Sequence, residues 1–444
     1  MPFALALLYL LTAYLGAVTI FGSLAAVHIE VILAVLILLV SLPSLPGSLI
    51  FKTPQSLALA GLAFAVFLSI LTTGWTGGAA QVFLAFIPNA FAYFLVCLHC
   101  TSKKRLQIVV VMLLGVCLFV ISRGYYDLQR GLTESDYVFA QMTSQGETIS
   151  RIRGQDFISD PNDLAQLIVC VIPLVFIFWR PKKSVRNIAF VIVPVGALLF
   201  GAFLTHSRGS VLALLAMTVV ASRRRIGTVP AMLLAVGLFV AATALNYTGG
   251  RDISADSGAD RMDLWGTGLQ LLKSHPLFGV GFNRMPDYVG LSAHNSIVVC
   301  AAELGLVGLY FWALFLLPTL RDALALASQA KVSDGELVLR EKTPFGQPII
   351  ESEKIDKTEV NRLGRLMVLS FTGFLVAGWF LSRAFVMTFF LLGGIVEVVF
   401  EIALRRNMIA PRMPMGRLLW YAGGFTISLL MLMYVVLRIG NVLR

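Results

Sequence analysis

The chain has 444 residues, 58% of them hydrophobic and 13% charged, with a formal charge of +11 and a mean hydropathy of +0.84. A soluble domain carries roughly 25% charged residues, so a soluble globular protein is excluded. Nucleic-acid binding has no separate basic domain or recognition motif to rest on.

Apolar stretches near the roughly 20 residues that cross a bilayer recur along the chain. They predict thirteen spans, at 3–22, 28–46, 55–73, 80–99, 106–122, 162–179, 187–204, 209–221, 228–246, 295–318, 363–381, 384–403 and 417–437. The first lacks a basic leader and reads as a span, not a cleaved signal peptide. The eighth is short and tilted or partly re-entrant. The fold class is therefore all-α, a polytopic transmembrane helical bundle of about 12–13 spans, with 1–444 forming a single membrane domain.

Alternating the spans places most of the 35 cations on one side: Lys52, Lys103 to Arg105, Arg180 to Arg186, Arg223 to Arg225, the 320–362 loop with Arg365, and Arg405 to Arg417. Positive charge marks that side as cytoplasmic, the N-terminus with it. Loops 123–161 and 247–294 then lie outside and 320–362 inside. The five cysteines, Cys97, Cys100, Cys117, Cys170 and Cys300, fall in or beside spans, and no structural disulfide is expected.

In chain order, Asp160-Pro161-Asn162-Asp163 opens the sixth span. Asp160 or Asn162 can cap that helix; alternatively Asn162 or Asp163 contacts a sugar or orients an arginine. Arg208, in Thr205-His206-Ser207-Arg208-Gly209, sits in a very short outer connection. In the 247–294 loop Asp260 can cap a helix beginning near Arg261. There Met262, Trp265, Leu269 and Leu272 recur at helical spacing, with Trp265 at headgroup level. His275-Pro276 ends that helix, Gly279 and Gly281 allow a turn, and Arg284 follows. His294-Asn295 opens the next span, and Glu303 lies farther along it. Arg383 occupies another tight outer turn.

Outer-face arginines run against the positive-inside bias and are costly to bury unpaired. Their guanidinium forks match phosphate oxygens, and several aimed at one point would stabilise a diphosphate leaving group. Individually, each can also snorkel to headgroups or pair with an acid. His294 can serve as general base or hydrogen-bond donor, or stand as an ordinary interfacial histidine. No second histidine at helical spacing and no acidic cluster accompanies it, so neither a metal nor any other cofactor is expected. Glu303 is either a functional ionisable group within a span or a helix-positioning one beside Gly305 and Gly308.

The ordered set Asp160-Pro-Asn162, Thr205-x-Ser207-Arg208-Gly209, Arg261-x-x-x-Trp265, His275-Pro-Leu-Phe-Gly279-x-Gly281, and His294-Asn295 with Glu303-x-Gly305-x-x-Gly308 resembles the O-antigen ligase/polymerase superfamily of bacterial envelope glycosyltransferases. The resemblance covers about 150–385, with 162–385 as the catalytic region. It implies a C-type glycosyltransferase architecture in the inner membrane with a periplasmic active site. The donor would be a glycan on undecaprenyl diphosphate. The acceptor would be lipid A-core, or a growing polysaccharide or protein hydroxyl in the polymerase and protein O-oligosaccharyltransferase variants. The ligase reaction is metal-independent and inverting. By the resemblance Arg208 and Arg261 bind the diphosphate and His294 activates the acceptor. Arg383 matches an outer-turn arginine. Arg284, Asn162, Asn295, Glu303 and Trp265 complete the expected substrate-binding set, with membrane lipids as the remaining partners. The rival class is a lipid-linked glycan transporter, which should show related halves and broken helices meeting near the midplane. No internal repeat is evident, and the suspect residues cluster at one face.

Overall fold

The computed structural model describes residues 2–26, 28–44, 53–142, 146, 148–247, 256–328, 357–440 and 442. Helices α1 (Pro2–Leu15), α2 (Ala17–Ile20), α3 (Gly22–Ala26) and α4 (Ile29–Ser41) precede α5 (Pro54–Leu71), α6 (Thr76–His99) and α7 (Lys103–Gln129). A hairpin of β1 (Val138–Met142) and β2 (Thr148–Ile152) leads to α8 (Pro161–Val175), α9 (Ser184–Asn187), α10 (Val193–Leu204), α11 (Arg208–Ile226) and α12 (Thr228–Ala244). Then come α13 (Asp256–Ser274), α14 (Met285–Val289), α15 (Ser296–Ala327), α16 (Lys357–Gly378), α17 (Met387–Arg405) and α18 (Met415–Ile439).

The protein is an all-α bundle, 78% helical. Among the described residues nine helices are long and apolar enough to cross a membrane, with Pro2–Leu15, Ile29–Ser41 and Thr228–Ala244 as shorter apolar ones. Each of the thirteen expected stretches contains helix. The eighth is longer than the sequence suggested, because α11 continues to Ile226 through Arg223, Arg224 and Arg225, where cations complement the helix C-terminus. Most of the expected 320–362 loop lies outside the described residues. Its ends are helical, as α15 runs to Ala327 and α16 starts at Lys357.

A backbone in lipid must satisfy its own hydrogen bonds, which leaves helices as the form for these apolar runs. Caps fix where they begin. The side chains of Thr53, Ser102, Asp160 and Asn295 each accept a first-turn N–H, and prolines 54 and 161 start helices whose first N–H needs no partner. The core centres on aromatic rings: Phe86, Phe315, Phe389 and Phe390 pack edge-on, and Trp312 Nε1 donates to the Ala384 carbonyl at 2.9 Å. Helix α12 buries only Ala231 and Ala235, four residues apart, and exposes Val229, Leu233, Val236 and Val240. Small residues at that spacing let α11 approach while the large apolar ones face lipid.

At the end of the bundle where α15 finishes and α16 begins, Arg412 bridges the buried Asp322 (2.7 Å) and Glu397 (2.6 Å), and Gln55 Nε2 donates to Asp322 at 3.1 Å. This network pins α5, α15 and α17 together. The strands of the hairpin pair antiparallel, with Val138 opposite Ile152. The sequence reading did not anticipate this hairpin within the 123–161 segment.

Candidate functional site

The opposite end of the bundle gathers the motif residues. Asp160 caps α8 by accepting from the Asn162 backbone N–H at 2.7 Å. One residue past Asn162, the buried Asp163 holds Arg383 through paired contacts from Nε and an Nη to its two oxygens. Of the two roles open to Asp163, the geometry selects orienting an arginine. The Arg383 backbone N–H donates to Ser296 Oγ (3.1 Å), which itself donates to the Leu381 carbonyl (2.8 Å), so the α16–α17 turn is fastened to the start of α15.

Arg151 on β2 is 2% exposed and joins three elements. Its Nε donates to the Thr205 carbonyl (2.6 Å), one Nη to Gln141 Oε1 (2.7 Å) and the other to Asn162 Oδ1 (2.9 Å). Asn162 is thereby engaged by protein on both its amide oxygen and its N–H, which redirects the substrate-contact expectation toward a structural role. Arg151 itself was not singled out. A buried arginine in a polar segment gives no sequence signal until its carbonyl partner just past α10 is known.

Helix α13 begins at Asp256, four residues before the expected cap at Asp260. Trp265 is corrected more substantially. It is 5% exposed, donates Nε1 to the Ala293 carbonyl at 2.8 Å, and meets Trp379 edge-on at 5.9 Å. Protein, not lipid headgroups, covers its ring. The amphipathic face of α13 packs on protein, and Trp265 locks it to the segment preceding α15.

Asn295 is likewise occupied. Its Oδ1 accepts from Ile297 N (2.9 Å) and Val298 N (3.1 Å), and its Nδ2 donates to the Trp379 carbonyl (3.1 Å). It caps a helix and does not present an amide to substrate. Glu303 is buried beneath the 281–285 turn and accepts from Asn283 N (2.9 Å) and Met285 N (3.4 Å). Arg284 turns away to pair with Asp287 at 3.0 Å, lining an open pocket of about 620 Å³ with Thr73 and Trp75.

The glycine motifs explain one another. Helix α15 breaks at Gly305, whose φ is 66° and ψ is −163°. The 275–281 loop fits into the break. Val280 N donates to Ala302 O (2.9 Å) and Gly281 N to Glu303 O (3.0 Å), while Leu306 N donates to Pro276 O (2.8 Å) and Val307 N to Leu277 O (3.2 Å). Gly279 is also left-handed, with φ 67°, and a Cβ there would lie 2.4 Å from the Glu303 carbonyl carbon. The positive φ and the close approach together require glycine.

Arg208, Arg261 and His294 remain. Arg208 is the first residue of α11, and the Ser207 side chain leaves the helix N-terminus without a side-chain cap. Such an end offers N–H groups and positive potential to an anion. Arg261 is half-buried; burial and the nearby Arg208 lower its pKa. His294 is half-buried with a left-handed backbone at φ 50°, and its N–H donates to Ser382 Oγ at 2.8 Å. Burial, then Arg261, push its pKa below 6.5, with Arg383 adding to the fall and Asp160 opposing it. The imidazole is therefore neutral at pH 7 and retains a basic nitrogen. Arg208 acts on Arg261, and Arg261, Asp160 and Arg383 act on His294, so these groups share one neighbourhood. Two residues before Arg208, His206 joins its Nδ1 to the Tyr247 carbonyl at 2.9 Å. Among the described residues no three His, Cys, Asp or Glu side chains are grouped to hold a metal ion.

Fold and site together define a polytopic helical membrane protein with a group of cations and a histidine at one end. The family described as O-antigen ligase matches residues 193–313, from the start of α10 to within α15, and over that segment the chain is similar to the O-antigen ligase superfamily. That match supports a membrane enzyme of the ligase/polymerase, glycosyltransferase-like kind. Arg208, Arg261 and His294 fall inside the matched segment, whereas Asp163 and Arg383 lie outside it. No curated protein matches the chain.

Proposed function

We propose that the protein transfers a glycan from undecaprenyl diphosphate to lipid A-core at the periplasmic face of the inner membrane, inverting the anomeric centre without a metal. The observation that carries this reading is the pairing of two like charges. Burial, and then the nearby Arg208, disfavour the protonated form of Arg261, a cost that a bound diphosphate reverses. The orientation rests on the cation bias of the loops, which assigns the Arg223–Arg225 end to the cytoplasm.

The diphosphate sits between the two guanidinium groups and the N–H groups at the start of α11. An acceptor hydroxyl oxygen attacks the anomeric carbon as the bond from that carbon to the diphosphate oxygen breaks. The leaving oxygen takes the electron pair, and the arginines stabilise the charge that develops there. The hydroxyl proton passes to the neutral ring of His294. Asp163 acts through Arg383, holding it toward the same pocket.

The test is transfer by purified protein from a lipid-diphosphate-linked oligosaccharide to lipid A-core in the presence of chelator, comparing wild type with His294→Ala. The expected result is transfer that survives chelation and falls by about 10²–10⁴-fold in the variant. Equal rates in both proteins overturn the role of His294. Transfer by the same site to polysaccharide or protein hydroxyls, but not to lipid A-core, overturns the acceptor assignment alone.

A further inference from the structure

At the end of the bundle opposite the site, a cavity of about 500 Å³ opens between the last turns of α8, α11 and α15 and the first turns of α16. Its interior is apolar, lined by residues such as Phe176, Leu214, Met217 and Leu369. Its rim carries five arginines: Arg223, Arg224, Arg225, Arg362 and Arg365. Arg362 is spoken for by Glu359 and the Trp179 carbonyl, and Arg224 reaches the Ala327 carbonyl at 3.3 Å. Arg223, Arg225 and Arg365 are exposed and have no hydrogen-bond or ion-pair partner among the described residues. No aspartate or glutamate lines the cavity among the described residues.

A topogenic signal requires cations in a loop, not cations around an apolar hole. A hydrophobic interior with a guanidinium rim at a membrane boundary is complementary to an amphiphile with an apolar tail and an anionic head. We propose that this cavity seats an anionic glycerophospholipid, acyl chain inward between α8, α11 and α16, phosphate at the rim against Arg223, Arg225 and Arg365. Basic pockets between membrane helices take such headgroups, and each cation near the surface adds a few-fold to affinity. The volume suits a segment of acyl chain, within the usual range for small-ligand sites. This inference is independent of the glycan chemistry at the other end.

The experiment is native mass spectrometry of the full-length protein released from mixed phosphatidylglycerol and phosphatidylcholine micelles, with Thr218→Trp and Arg223→Gln/Arg225→Gln/Arg365→Gln as variants. Thr218 lines the cavity, and tryptophan there fills it while leaving every arginine, and hence the topogenic charge, in place. Wild type should retain phosphatidylglycerol over phosphatidylcholine by about tenfold or more, and both variants should lose that preference. Equal retention of the two lipids by wild type overturns the proposal. So does a preference that survives Thr218→Trp unchanged, which would mean diffuse surface attraction. Displacement of the retained lipid by millimolar inorganic phosphate would show a phosphate-ion site and overturn the lipid assignment.

Discussion

Replacing Gly305 by alanine tests the interlock between α15 and the 275–281 loop. A Cβ at this position would lie 2.4 Å from the Leu277 carbonyl oxygen, 2.5 Å from its carbon and 2.6 Å from Phe278 N. All three are backbone atoms, so no side chain can swing aside. The left-handed backbone itself costs about 1–3 kcal/mol with a side chain present. Displacing the loop weakens the four backbone bonds that stitch it into the break, each contributing about 1 kcal/mol. Partial relaxation leaves a net loss on the order of 3–5 kcal/mol. Because the loop follows directly from α13, which carries Arg261, transfer activity should fall with it. Gly115→Ala is the control: this glycine lies in α7, a Cβ added there would have nothing within 4 Å, and the change should stabilise by about 0.5–1 kcal/mol. Stability would be followed by thermal unfolding in detergent, and the loop by hydrogen exchange at Val280 and Gly281. A Gly305→Ala protein within about 1 kcal/mol of wild type, with both amides still protected, would refute the interlock.

Arg261→Ala should lower kcat/KM for the lipid-linked donor by about 10²–10³-fold with little change in unfolding temperature; a loss of activity matched by unfolding would assign it to the fold instead. The pH profile carries a second sign. His294 must be neutral to accept a proton, and its pKa is depressed, so the acid limb of kcat/KM should lie below pH 6.5. Removing a neighbouring cation favours the protonated ring, so Arg261→Gln should move that limb upward; a limb that stays put or falls contradicts the coupling. Asp163→Asn leaves the Arg383 guanidinium without its carboxylate. Since the Arg383 side chain is 33% exposed, water recovers part of the loss, and the expected cost is about 1–3 kcal/mol, read by chemical denaturation against Arg383→Gln and the double variant. Additive effects would mean the two residues do not act together.

The bundle was legible in the sequence because apolar length dictates helix in lipid, and all thirteen stretches carry it. Arg208, Arg261 and His294 stand out as candidates because cations and a histidine are conspicuous against an apolar background. The roles of Trp265, Asn295 and Glu303 were not legible. Helical spacing on α13 marks an apolar face without saying whether lipid or protein covers it, and protein does. Asn295 and Glu303 direct their polar atoms to backbone groups, and backbone partners leave no trace in residue identity. The same holds for Arg151, whose carbonyl partner lies 54 positions away. The hairpin escaped because its strands are five residues each, too short for alternation to stand out in a polar segment.

Ser382 and Arg383 are adjacent, and each holds a different element: the first takes the His294 N–H, the second grips Asp163. His294 and Arg383 thus hang from a single bracket between α16 and α17. Any shift of that bracket would move both partners together, so the spacing of His294 and Arg383 is tied to one turn of backbone.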